Sequence, residues 1–87
     1  MRNVYELGGK LYGDLLDAVN AADSLLIEDA DSYCRATGAR ITRAEFSRAP
    51  DNLRVYCRVR YSGGADPEDI GHDCLYDYTI VEREVLS

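Results

Sequence analysis

The sequence has 87 residues, of which 46% are hydrophobic, and its 16 acidic and 10 basic side chains give a formal net charge of −6. A chain of this length forms one domain around one core, and this hydrophobic content excludes an intrinsically disordered protein. The acidic balance argues against direct binding to nucleic acid or to an anionic membrane, because phosphate contacts need arginine and lysine. We therefore expect a single small domain over residues 1–87.

The three cysteines, Cys34, Cys57 and Cys74, are scattered along the chain. An odd and scattered set is a poor disulfide framework and is typical of reduced, buried thiols. No apolar run approaches the ~18 residues that a membrane-spanning helix needs. These features predict a cytoplasmic protein with no membrane segment.

Charge is distributed in three blocks along the chain. Residues 1–34 carry seven acidic and two basic side chains, and residues 61–87 carry seven acidic and one basic. Residues 35–60 carry seven arginines and two acidic side chains. A basic middle therefore lies between two acidic ends, and folding decides how much of the acid is neutralised within the chain.

The first twelve residues contain two short β-prone segments, 4–7 and 10–12, on either side of Gly8 and Gly9. Two such segments around a two-residue glycine turn predict a β-hairpin. Because the segments are so short, a flexible lead-in over residues 1–12 is the alternative.

A helix is predicted after Gly13. Asp14 is a suitable N-cap, Asp17 lies in the first turn where the helix dipole favours acid, and Gly38 is a suitable stop. Between them, apolar residues recur at steps of three or four, as on one face of a helix: Leu15, Val19, Ala22, Leu26, Ala30 and Tyr33. Because Asp23 followed by serine is itself a helix start, a pair of shorter helices is the alternative.

The second half of the chain predicts three strands. Residues 39–48 are β-prone in part, residues 49–52 form a turn, and residues 53–61 alternate apolar and arginine-rich positions. After a loop over residues 62–73, residues 74–85 are again β-prone. The predicted fold is α+β, with an N-terminal helix or helix pair packed on a three-stranded antiparallel sheet. Acids of the third strand are expected opposite Arg58 and Arg60.

Motifs for catalysis are missing from the sequence. His72 and Cys74 lie close together, but a zinc site wants four ligands and usually paired cysteines. No catalytic elbow and no phosphate-binding glycine loop surrounds them. We therefore predict that the protein is not an enzyme, with no metal and no cofactor, and a metal hydrolase is the least favoured alternative.

The predicted binding site consists of a group of acids on the helix, a second group of acids in the loop over residues 62–73, and two tyrosines. On a helix, Asp14, Asp17, Glu28 and Asp31 fall opposite the apolar face, and Tyr76 and Tyr78 share one face of a strand. Tyrosine is enriched in protein interfaces because it combines a large area with a polar tip. The predicted partner-binding residues are Asp14, Asp17, Glu28, Asp31, Asp66, Glu68, Asp69, Asp73, Tyr76 and Tyr78.

In size, charge and α+β pattern, the chain resembles the small acidic inhibitors that phages and mobile elements encode, including anti-CRISPR proteins and other DNA mimics. It is also similar to the immunity proteins of bacterial toxin pairs. The resemblance implies a partner protein with a basic surface, such as a nucleic-acid-binding complex. A second hypothesis belongs to a different class of function: the protein is a structural or assembly module that forms a homodimer through its sheet.

Overall fold

The computed structural model describes residues 2–63 and 72–85. In chain order, the elements are β1 (Arg2–Leu7), β2 (Lys10–Tyr12), α1 (Leu15–Thr37), β3 (Ala39–Arg48), β4 (Arg54–Gly63), β5 (His72–Thr79) and β6 (Val81–Val85). The strands form two three-stranded antiparallel sheets, in the orders β2-β1-β6 and β3-β4-β5. The α+β prediction is confirmed, but the predicted single sheet is one of two sheets in the described residues.

One continuous helix, α1, replaces the alternative of two shorter ones, which is wrong. The side chain of Asp14 caps its start by accepting a hydrogen bond from the Leu16 N–H at 3.0 Å. Gly38 ends it with a φ of 77° and donates its N–H to the carbonyl of Cys34 at 2.8 Å. The Ser24 hydroxyl bonds back to the carbonyl of Asn20 at 3.2 Å, so the serine stays inside the helix.

The hairpin predicted at the start of the chain is present. Gly8 and Gly9 have φ values of 58° and 84°, which a two-residue turn between twisted strands requires and which glycine adopts without strain. The first strand of this hairpin, β1, also pairs with β6 at the end of the chain, with Arg2 opposite Val85. This long-range pair builds the second sheet, which the sequence did not predict.

Ile80 divides the strand predicted over residues 74–85 into β5 and β6. Its side chain is buried, and its N–H donates to the carbonyl of Leu53 at 2.7 Å, outside either strand ladder. The chain on either side of this point therefore joins two different sheets: β5 pairs with β4, and β6 pairs with β1.

The core lies between α1 and the two sheets. Alternate residues of β4 are buried against the helix, as the sequence pattern predicts. The fully buried side chains include Val19, Leu26, Val55, Cys57, Val59, Tyr61 and Ile80. The intervening arginines of β4 are exposed on the other side of the sheet. We call the side of sheet β3-β4-β5 that packs on α1 the helix side and the opposite side the arginine face.

Candidate functional site

Four carboxylates lie on the outward side of α1, and they are the ones that the sequence predicts to lie together. Asp14, Asp17, Glu28 and Asp31 are all exposed, and none forms an ion pair within residues 2–63 and 72–85. At 3.6 residues per turn they occupy a sector of roughly 100° that extends for about 26 Å along the helix axis. We call these four residues the acidic face.

The other two acids of α1 are engaged with the sheet. Asp23 lies 3.4 Å from the guanidinium of Arg48 on β3, and Oδ2 of Asp29 accepts a hydrogen bond from the Tyr78 hydroxyl on β5 at 2.6 Å. The remaining oxygen of Asp23, Oδ1, is buried and has no hydrogen-bond partner in the described part of the chain. These two carboxylates therefore fix the helix on the sheet and are not available to a partner.

Acids of the strands are largely neutralised on the arginine face. The Nε atom of Arg54 donates to Asp77 at 2.8 Å, Arg60 lies 3.7 Å from Asp73, and Arg43 pairs with its strand neighbour Glu45. The hydrogen bond and the charge of Asp77 together raise the pKa of Arg54. These exposed pairs add little stability, but they cancel charge locally.

Register decides which of the predicted acid–arginine pairs exist. Arg60 lies opposite Asp73, so an acid–arginine pair forms at Arg60, but with a residue that the sequence assigned to the loop and not with the predicted acids Asp77, Glu82 or Glu84 of the third strand. Arg58 lies opposite the exposed Leu75, so the prediction of a third-strand acid beside Arg58 is wrong. A shift of two residues in the register of β5 would have placed Asp73 or Asp77 opposite Arg58, and the sequence does not determine that register.

The remaining predicted binding residues do not join the acidic face. Asp73 lies on the arginine face, and Tyr76 and Tyr78 are half-buried on the helix side, where their hydroxyls bond Tyr61 at 2.9 Å and Asp29. Asp66, Glu68 and Asp69 lie outside the described residues. Of the predicted set, the structure therefore brings together only the four helix acids.

Three aromatic rings, those of Tyr33, Tyr61 and His72, form a cluster near the C-terminal end of α1. The Tyr33 hydroxyl lies 3.0 Å from Nε2 of His72, and the rings of Tyr33 and Tyr61 are 4.4 Å apart between centroids. Burial, followed by the hydrogen bond to Tyr76, raises the pKa of Tyr61 far above its ordinary value, so this phenol stays neutral. Within the described residues, no group of three or more histidine, cysteine or acidic side chains is arranged to hold a metal ion.

A second surface, which the sequence analysis missed, lies between α1 and the edge strand β3. Exposed apolar side chains line a groove of about 160 Å³ there, over a floor of two buried residues of β4. The lining residues are Ile27, Ala30, Asp31, Ile41, Ala44, Phe46, Cys57 and Val59. The sequence signal that indicates this surface is the alternation of Ala44 and Phe46 with polar residues in β3, together with Ile41 earlier in the strand.

Comparison with protein families, with curated proteins and with solved structures finds no match for this chain. No helix within residues 2–63 and 72–85 is long and apolar enough to cross a membrane.

Proposed function

We propose that the protein is a cytoplasmic inhibitor of the phage or mobile-element type, which binds a basic, nucleic-acid-binding surface of a partner protein through its acidic face. One observation carries the proposal: four helix carboxylates remain exposed and unpaired in the described structure, while strand acids on the arginine face are engaged by arginines. The arginines of β4 lie on the arginine face, on the other side of the sheet from α1, so they do not pair with the acidic face, and Arg35 in the last turn of α1 donates to Ser32.

The acidic face is organised as two pairs of carboxylates. Asp17 follows Asp14 by about one turn, and Asp31 follows Glu28 in the same way, so the charges within each pair lie within the Debye length of about 8 Å at physiological salt. The two pairs are separated by about 16 Å along the axis. Two clusters of lysine or arginine at that separation on a partner would be matched electrostatically, without copying each phosphate of a nucleic acid.

Between the two pairs, the same sector of α1 carries short uncharged side chains. Asn20 and Ser24 are exposed there and Ala21 is half-buried. A flat partner surface can therefore approach the helix closely without burying an unpaired charge between the two acidic pairs. The first pair lies at the positive end of the helix dipole, which partly offsets its charge, so we expect Glu28 and Asp31 to dominate binding.

Charge reversal on and off the acidic face tests the proposal. Nucleic-acid-binding enzymes retained on heparin are incubated with the protein. The enzymes whose binding to a DNA oligonucleotide is competed are identified. Their affinities for the protein are then measured as a function of salt concentration. We expect Glu28→Lys to weaken binding about tenfold or more and the matched reversal Glu84→Lys, on the distant strand β6, to change it less than about twofold.

Two outcomes would reject the proposal. The first is that no retained enzyme loses oligonucleotide binding when the protein is added. The second is that Glu28→Lys and Glu84→Lys weaken binding equally, which would indicate attraction to net charge with no defined face. If the competed enzyme is a toxin encoded beside this chain, the same surface serves an immunity protein, which is the runner-up function.

A further inference from the structure

Three large apolar side chains are exposed along the groove between α1 and β3. Ile27 of the helix is 50% exposed, and Ile41 and Phe46 of the strand are 40% and 47% exposed. On the opposite flank of the same sheet, the large side chains of Tyr76 and Tyr78 fill the space beneath the helix and are half-buried. Large apolar residues left exposed together mark an interaction surface.

The strand that lines this groove is also an open sheet edge. β3 has ten residues and, within residues 2–63 and 72–85, pairs only with β4, and every side chain from Arg40 to Arg48 is exposed. The register irregularity between Ile41 and Arg43 disturbs one end of the edge, whereas pairing with β4 is regular from Arg43 to Arg48. A long and regular edge with an apolar side is a template for another strand.

The chain is more extended and exposes more surface than a compact monomer of the same size, as expected of one subunit of a larger assembly. Its radius of gyration is 15.9 Å, whereas a compact domain of this length has about 12 Å. Its accessible surface of 5863 Å² is roughly 15% larger than that of a typical monomer of the same mass. The long shape, with extents of 57 × 23 × 13 Å, exposes surface that a second chain can cover.

We infer that β3 pairs with β3 of a second copy of this chain, in antiparallel orientation around a two-fold axis at Ala44. The sheet then continues through both copies in the order β5-β4-β3-β3-β4-β5, with both helices on one side. This inference does not rest on the proposed function, because it is argued from the apolar groove and the β3 edge and not from the acidic face. Asp31 belongs to the acidic face and also borders the groove, whereas Glu28, on which the test of the proposed function depends, does not line it.

Charge complementarity favours a second copy of β3 as the partner of this edge, and it also determines the register of the pair. With Ala44 on the axis, Arg43 lies opposite Glu45 of the second copy, and Glu45 lies opposite its Arg43. A shift of one residue would exchange the helix side and the arginine face, so only even shifts keep the apolar residues together. The nearest even shifts place Arg43 opposite Arg43 or Glu45 opposite Glu45, and like charges directly opposed are destabilising.

The same register also covers the groove. Ala44 and Phe46 of each copy lie on the helix side next to the axis, so the two grooves become one continuous apolar layer bordered by Ile27 and Ile41 of both copies. The small side chain at position 44 leaves room at the axis for Phe46 of either copy.

Sedimentation velocity of the full chain, from about 1 μM to about 200 μM at physiological salt, tests the inference. We expect a reversible dimer for the unmodified protein. Phe46→Lys is expected to raise its Kd at least about tenfold. Leu75→Lys, a matched change at a side chain that is 60% exposed on the arginine face, is expected to leave the Kd unchanged. Thermal unfolding checks that each variant is folded.

A charge swap tests the register. Arg43→Glu and Glu45→Arg are each expected to weaken the dimer several-fold, and the double variant is expected to restore it, because the swap preserves the opposed pairs. A protein that stays monomeric at the highest concentration overturns the inference and leaves the groove to another partner. A dimer that is insensitive to Phe46→Lys, or a double variant no better than the singles, also overturns it. Binding measured with Glu28→Lys is a separate result, so the dimer and the proposed function fail independently.

Discussion

The hydroxyl of Tyr78 on β5 donates a hydrogen bond to Oδ2 of Asp29 on α1 over 2.6 Å. This contact joins the helix to the sheet at a partly buried position, and its acceptor is a carboxylate. Hydrogen bonds to charged groups are shorter and stronger than neutral ones. The contact explains why Asp29, unlike its neighbour Glu28, is not part of the acidic face.

Removal of this hydroxyl is expected to destabilise the fold. Tyr78→Phe should lower the free energy of unfolding by about 1–2 kcal/mol, because Asp29 loses its partner while the ring remains in place. Tyr5→Phe is the matched control, since the hydroxyl of that half-buried tyrosine has no hydrogen bond to the described residues, and it should cost less than about 0.5 kcal/mol. Urea unfolding measures both, and equal losses would show that the Tyr78 contact is not stabilising.

The same contact predicts a dependence on alkaline pH. The hydrogen bond to Asp29, with burial and the nearby negative charge, raises the pKa of Tyr78 from 10.0 to about 12. A tyrosine with a raised pKa in the folded state stabilises the protein fully below the unfolded pKa and loses that contribution as the pH rises through the folded value. The difference in unfolding free energy between the unmodified protein and Tyr78→Phe should therefore shrink between about pH 10 and about pH 12. A difference that stays constant across this interval would contradict the assignment.

Local signals in the sequence were sufficient for the helix and for the strands β3 and β4. Asp14 and Gly38 bound α1 as predicted, because capping depends on a few neighbouring atoms. The alternation of β4 correctly predicted its buried and exposed sides. Each of these features is determined by residues that are close together in the sequence, within one or two turns of a helix or a few residues of a strand.

Long-range relationships were not available from the sequence. The pairing of β1 with β6 joins the two ends of the chain, and it depends on where Ile80 interrupts the last strand. Tyr76 and Tyr78, the two tyrosines of the predicted interface, show the same limit. The prediction that they share one face of a strand was correct. Whether that face contacts solvent or α1 depends on how the helix packs, and the sequence did not predict this. The acidic face could be predicted from the sequence, because helical periodicity alone brings its four residues together.

Burial within α1 predicts a large contrast between two leucines. Leu26 is fully buried in the core, whereas Leu16, in the first turns of the same helix, is 57% exposed. Leu26→Ala should cost about 2–5 kcal/mol, because it removes apolar contacts and leaves a cavity, while Leu16→Ala should cost less than about 1 kcal/mol. Chemical denaturation of the two variants measures the contrast. Similar losses would mean that the helix does not pack through the face that contains Leu26.

The three cysteines are all free thiols, and their burial predicts an order of reactivity. Cys57 is buried on β4, and desolvation, with a smaller contribution from the charge of Asp23, raises the pKa of its thiol. Cys34 and Cys74 are only half-buried. Because the thiolate is the reactive form, a maleimide should modify these two under native conditions and Cys57 only after the protein unfolds. Mass spectrometry of digested samples locates the modified sites. Modification of Cys57 as fast as the other two would show that the β3 side of the core opens readily, and it would count against a groove floor that is closed in solution.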